Sequence, residues 1–165
     1  MEPLRGGKLS NYPPESVRQI WDSAEEKRTP AEWALRWIWD QREVSVVLSG
    51  MNSMSQVDEN IKVAGSALPG NLSAEEKRLI EKARDRYIEL TKVGCTGCRY
   101  CMPCPSGVDI PRIFSLYNEA SMYNDLESCA ARYRKKEAES GASRCIRCGK
   151  CEKACPQHIK VRDQF

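Results

Sequence analysis

Apolar residues along this chain recur mostly every three or four positions, and capping residues mark where the periodic stretches begin. Pro13 and Pro14 open a first helix running through Val17, Ile20 and Trp21. Thr29-Pro30-Ala31-Glu32 is a fuller start signal: a threonine N-cap, a proline in the first turn where no N–H is needed, and a glutamate placed to reach back to the cap. The body of that helix, AEWALRWIWD, is apolar over more than one face, and Trp33, Trp37 and Trp39 require cover on several sides.

The period then changes. Val44-Ser45-Val46-Val47-Leu48 is a short β-branched run ending in Ser49-Gly50, which predicts a buried strand of a parallel sheet. Ser53-Met54-Ser55-Gln56 is a second capping box, opening a helix with Val57 and Ile61 on one face and Gly65 near its end. Strand, turn and capped helix make half of a βαβ unit. Ser73-Ala74-Glu75-Glu76 starts a fourth helix with a stripe of Leu79, Ala83, Tyr87 and Leu90. Asp109 caps a fifth, with Pro111 in its first turn and Ile113, Phe114, Tyr117 and Ala120 inside; a sixth is expected from Leu126 to Glu139, stopping near Gly141.

Composition narrows the class. A chain of 165 residues, 41% hydrophobic and 30% charged, suits one globular domain or a small domain with an appendage. No apolar run approaches the ~20 residues of a membrane span, and the first residues lack the apolar core of a secretory signal, so the expected compartment is cytoplasmic. Lys and Arg (26) against Asp and Glu (23) leave +3, too mild and scattered to argue for nucleic acid. Arg132, Arg134, Lys135 and Lys136 read as the solvated face of a helix, not a nucleic-acid or membrane surface.

Cysteine changes the picture most. Eight of the nine cysteines lie in two runs, CTGCRYCMPCP from Cys95 and CIRCGKCEKACP from Cys145. Such density with an odd total reads as cluster ligation in a reducing compartment rather than a disulfide scaffold. A loop wrapping three corners of a 4Fe-4S cube presents a sulfur about every third residue, as C-x2-C-x2-C does; in two-cluster ferredoxins the last cysteine of each run ligates the other cluster, and the following proline turns the chain away. On that rule Cys95, Cys98 and Cys101 take Cys155, while Cys145, Cys148 and Cys151 take Cys104. The second run has the full ferredoxin spacing; the first has x2 rather than x3 before Cys104, which leaves that ligand's role open. Zinc is the rival, although a four-cysteine zinc site draws two C-x2-C pairs from separated knuckles. Gly94, Gly97 and Gly149 suit close backbone approach with N–H donors to cluster sulfurs. With two clusters and their thiolates at about −2 each, the net charge falls near −1. Cys129, mid-helix, reads as a small buried hydrophobe. His158, the only histidine, reads as part of a chain reversal over a cluster.

Before the cysteines, the order of segments resembles the end of an aldo/keto reductase barrel. PLRGGKL at 3–9 is similar to that family's strand-six loop, TPAEWALRWIWD to its TPAQ-x-ALRW helix, and VVLSGMNSMSQVDENI to its seventh strand with the loop and helix that follow. With the cysteine region attached, the whole resembles the C-terminal portion of aldo/keto-reductase-like oxidoreductases carrying a 4Fe-4S ferredoxin extension, where CTGC-x-YCMPCP-x-GVDIP and CPQHI recur. The resemblance implies a mainly α chain with one or two short parallel strands: C-terminal elements of a (β/α)8 barrel over residues 1–90, then an α-helical ferredoxin-type domain over 91–165. It implies further that Pro3, Leu4, Arg5 and Gly7 lie along the pyrophosphate of a nicotinamide dinucleotide, with Ser49, Gly50, Asn52, Gln56, Glu59 and Asn60 at the adenosine end. A capped helix N-terminus with small neighbours suits phosphate. Gln56 stands where many NADPH-binding relatives carry Arg, so NAD and NADP both remain open.

The family's catalytic Asp, Tyr, Lys and His come from earlier barrel strands, and the half before the cysteines contains no histidine. No catalytic residue is therefore expected in this chain, Met1 is expected to fall inside a strand, and the chain reads as a portion of a longer oxidoreductase. The function expected is electron transfer through two 4Fe-4S clusters, exchanging electrons with a redox partner protein or a small-molecule donor or acceptor, with NADP(H) in the full-length protein. The alternatives are a stand-alone ferredoxin-like carrier and a zinc-binding interaction module.

Overall fold

Helices account for most of the ordered secondary structure in this computed structural model, which describes residues 3–10 and 12–165. The strand expected around Met1 lies outside the described residues. The chain divides into two compact units, Met1–Ile88 and Glu89–Phe165.

The first unit holds α1 (Glu15–Asp22), α2 (Pro30–Trp39), α3 (Met54–Ala64) and most of α4 (Ala74–Glu89). Local signals set their starts. Thr29 Oγ1 accepts from the Glu32 N–H at 3.0 Å, although the Glu32 carboxylate turns to Arg36 instead of the cap. At α4 the box is reciprocal: Ser73 Oγ accepts from Glu76 N–H at 3.1 Å and Glu76 Oε2 from Ser73 N–H at 2.8 Å. Leu35, Val63 and Ala67 form a small core with Leu4, Trp39 and Val47 against it. Trp33 is buried, stacked on Trp21 at 5.1 Å and covered by the Arg28 guanidinium. Asp40, at the end of α2, accepts from Leu72 N–H at 2.9 Å and from Lys77 at 2.8 Å, tying α2 to the turn before α4.

The run Val44–Leu48 belongs to no helix and to no ladder; among the described residues there is no strand. A parallel strand is covered on both faces and paired along both edges. Here one face alone is covered: Val47 packs on the α2–α3 core while Val46 and Leu48 are 72% and 61% exposed. The β-branched pattern specified an extended backbone with alternating faces, and the pairing was a tertiary matter it did not contain.

The second unit pairs α5 (Ile110–Met122) with α6 (Leu126–Arg134), then short turns α7 (Glu137–Ser140), α8 (Lys150–Lys153) and α9 (Val161–Gln164). The expected sixth helix is broken in two at Lys135–Lys136, and the buried face of α5 carries Leu116 rather than Tyr117, which is 50% exposed. Gly141 ends the helical stretch where a Cβ would stand 2.5 Å from the Glu137 carbonyl oxygen, so no larger residue fits. Cys129 is buried, as expected of a small hydrophobe.

Two loops of this unit repeat one backbone design. Between Cys95 and Cys101 the residues at positive φ are Gly97 (70°) and Arg99 (65°); between Cys145 and Cys151 they are Arg147 (55°) and Gly149 (72°), at matching positions. Each loop spends one glycine and one arginine on conformations that cost a side-chain-bearing residue about 1–2 kcal/mol. The same wrap is thus imposed on both, whichever residue the position holds. The loops differ before the last cysteine: the first closes over the cis Met102–Pro103 peptide, and the second over α8.

Candidate metal centre

The core of the second unit is lined with thiols. Val93, Val108, Ile110, Phe114 and Val161 are buried, and Cys95, Cys101, Cys104, Cys145 and Cys151 pack against them. Two small cavities open beside this core. One is lined by Cys95, Cys98, Cys101, Cys151 and Cys155, the other by Cys101, Cys104, Cys145, Cys148 and Cys151. Each cavity thus collects three cysteines of one run and the third and last cysteines of the other, and the shorter spacing before Cys104 still delivers it to the second. Cys101, Cys151, Ile110 and Val161 line both cavities and form the wall between them.

None of the nine cysteines is in a disulfide. Among the described residues no three His, Cys, Asp or Glu side chains converge as ligands of a single ion. A single zinc ion draws thiolates to about 2.3 Å from its centre; a cube holds its four thiolates further apart, around a larger core. Both sets of cysteines border a cavity, as the ligands of a larger core would. The electrostatics divide the thiols. Burial pushes the Cys101 and Cys151 thiols up. Burial acts on Cys104 too, but donors from the Ser106 hydroxyl and the Ser106, Val108 and Gly107 backbone outweigh it and hold that thiol below its usual value. The Arg147 N–H lies 3.4 Å from Cys145 Sγ. Such donors favour sulfur carrying negative charge. Cys98 and Cys148 are the exposed members of their quartets. His158 is exposed and lines neither cavity, although its neighbour Gln157 lines the first.

In the first unit an open cleft of about 1130 Å3 is lined by Pro3, Leu4, Gly7, Ser49, Gly50, Asn52, Gln56, Glu59 and Asn60 among others. Arg5 alone of the residues expected there does not line it; Arg5 is a left-handed turn residue at φ 50°. Asn60 Nδ2 donates to Ser49 Oγ at 3.2 Å, and Gln56 Oε1 accepts from Asn52 N–H at 2.9 Å, fixing the loop before α3. Arg18, Trp21, Arg28 and Thr29 also line this cleft; the sequence marks Trp21 and Thr29 only as parts of helices and gives no signal for the two arginines. Ile110 and Val161 were readable in principle: each stands six residues after a Cys-Pro cysteine, Cys104 or Cys155. Asn118 carried no such signal. Its Oδ1 accepts from Lys92 and Val93 N–H at 3.0 and 2.9 Å and its Nδ2 donates to Val93 C=O at 2.7 Å, pinning the segment before Cys95.

Comparison with known families agrees with this division. Residues 10–85 match the model of the aldo/keto reductase family, and residues 94–159 match that of the 4Fe-4S dicluster domain. The chain therefore joins a region similar to the aldo/keto reductase family to a region similar to the 4Fe-4S dicluster domain, the second C-terminal to the first. No curated protein and no solved structure matches it. No helix among the described residues is long and apolar enough to cross a membrane.

Proposed function

We propose that this chain is the electron-transfer part of an aldo/keto-reductase-like oxidoreductase and that it holds two 4Fe-4S clusters. Cys95, Cys98, Cys101 and Cys155 hold one; Cys145, Cys148, Cys151 and Cys104 hold the other. The observation that carries the reading is the pair of cavities, each bordered by five cysteines drawn from both runs, three of one run and the last two of the other. The clusters supply one-electron storage and transfer when bound. The protein's own residues orient the thiols, aim N–H donors at Cys104 and Cys145, and exclude water through the wall of Ile110 and Val161. The two cavities share Cys101, Cys151, Ile110 and Val161, so the two sites are neighbours suited to passing single electrons. The partner is a redox protein or a small-molecule donor or acceptor. The 4Fe-4S region can be tested directly: anaerobically purified protein should carry about eight iron and eight sulfide per chain and a visible absorbance that bleaches on reduction. Two zinc and no sulfide would overturn it.

The cleft of the first unit we assign to a nicotinamide dinucleotide. Its size suits such a ligand, since pockets for drug-sized molecules run about 300–1,000 Å3. The start of α3 offers free N–H groups and a favourable dipole to phosphate. Trp21 borders the cleft, so NADPH or NADH binding should quench tryptophan fluorescence saturably, and a linear, unsaturable change with both would remove the assignment.

A further inference from the structure

The spacing that turns three sulfurs inward also fixes what faces outward. In SRCIRCGKCEKACP each of the first three cysteines is preceded by a cation, Arg144, Arg147 and Lys150, and Lys153 continues the series three residues on. The matching positions of the first run hold Gly94, Gly97, Tyr100 and Pro103, with no charge. All four cations are exposed. Arg144 gives its hydrogen bonds to the Ser106 and Ala138 carbonyls at 3.2 and 3.0 Å, and Arg147 to the Arg162 carbonyl at 2.9 Å. None of the four pairs with a carboxylate among the described residues, whereas nearby Arg162 is paired with Glu152 at 2.7 Å. Between Arg144 and Arg147 in sequence, Ile146 is 67% exposed, two residues before the exposed Cys148. An exposed apolar residue that lines one of the two sulfur-lined cavities, in a run with four cations that pair with no carboxylate, is the make-up of a docking site for a negatively charged protein surface.

We propose that Arg144, Arg147, Lys150 and Lys153, around Ile146, form the docking surface for an acidic one-electron carrier protein. This rests on the reading of the second run as a cluster site. The cations are not there simply to offset the charge of a bound cluster, because the first run faces the same kind of site and carries none at the equivalent positions. Their exposure also leaves them more effective toward an approaching surface than toward a buried group.

The test is equilibrium binding of the iron-loaded protein to a labelled acidic plant-type ferredoxin, with basic cytochrome c as the opposite-charge control, from about 50 mM to about 300 mM salt. Ferredoxin should bind and cytochrome c should not, with affinity falling as salt rises. The double reversal K150E/K153E should weaken ferredoxin binding about tenfold at low salt and flatten the salt dependence; K150Q/K153Q should fall between, and K82E in the first unit should change nothing. Iron content and visible absorbance are read on the same samples. A protein without iron fails the cluster reading, whereas an iron-replete K150E/K153E protein that binds ferredoxin as tightly as the parent fails the docking proposal. The proposal also falls if the reversal shifts only the midpoint potential, or if duplex DNA binds this surface more tightly than ferredoxin.

Discussion

Gly107 and His158 occupy one position in two copies of the same turn. Each has positive φ, 78° and 53°, and each donates its N–H to the carbonyl of the cysteine three residues earlier, at 2.9 Å to Cys104 and 3.1 Å to Cys155. From there both copies run on alike: Asp109 and Lys160 precede the helices at ψ 77°, and Ile110 and Val161 are buried at 3% and 2% exposure. The second unit is therefore built around an internal repeat, Cys95 to Ile110 and Cys145 to Val161, with one extra residue in the second copy between its third and fourth cysteines. The repeat explains why each quartet is mixed: two equivalent loops exchange their last cysteines.

His158 is on this view a turn residue and not a ligand. His158→Gly should keep the full iron content, while His158→Val, a β-branched residue forced into the left-handed region, should be less stable than His158→Gly by about 1–2 kcal/mol. Chemical denaturation of the iron-loaded variants gives the comparison. Loss of iron in His158→Gly would restore the histidine as a ligand.

The exchange of fourth cysteines is open to a double-variant experiment. Cys104→Ser and Cys145→Ser should each remove about four iron, and the pair together no more, because both act on one cluster. Cys104→Ser with Cys95→Ser should remove about eight. Cys129→Ser, buried in α6 away from both cavities, should keep all of it. If Cys104→Ser and Cys95→Ser are not additive, the quartets are not mixed.

What the sequence disclosed follows from how local each cause is. The caps at Thr29 and Ser73 and the cysteine spacings act within a few residues, and they were legible. Val44–Leu48 specified an extended backbone but not whether one face or two would be covered. Tyr117 and Leu116 differ by one position on α5, a 100° rotation that periodicity alone resolves poorly. Arg99 and Arg147 sit in left-handed conformations that only glycine announces in sequence. Asn118 acts on Val93 across 25 residues, and no pattern reaches that far.

Asp40 makes the first unit acid-sensitive. Burial alone would raise its carboxyl pKa, but Lys77 and the Leu72 N–H hold it below the ordinary value of 3.8. A depressed folded-state pKa contributes stability that is present above the unfolded value and lost as pH falls through the folded one. Urea midpoints of the first-unit transition should therefore drop as pH is taken below about 4. Asp40→Asn should be less stable at pH 7 and show a shallower acid dependence. Parallel pH profiles for the two proteins would show that Asp40 is not the group responsible.

Asn118 should control how firmly the first cysteine run is held. Its amide satisfies two N–H groups and one carbonyl of Lys92 and Val93, and Val93 is buried at 3% exposure directly before the Gly94-Cys95 turn. Asn118→Leu keeps the bulk but leaves those backbone groups unpaired, at about 1–3 kcal/mol for each buried group that water cannot reach. Asn118→Asp retains the acceptor for both N–H groups but sets a carboxylate oxygen against the Val93 carbonyl where the donor stood, so it should be destabilising yet milder than Leu, which leaves all three groups unpaired. The order expected, parent over Asp over Leu, should appear both in thermal midpoints and in the rate at which a chelator strips iron. The faster loss should involve the cluster held by Cys95, Cys98, Cys101 and Cys155, leaving about half the iron slow to leave. Uniform loss from both sites would mean that Asn118 supports the unit as a whole and not the first loop.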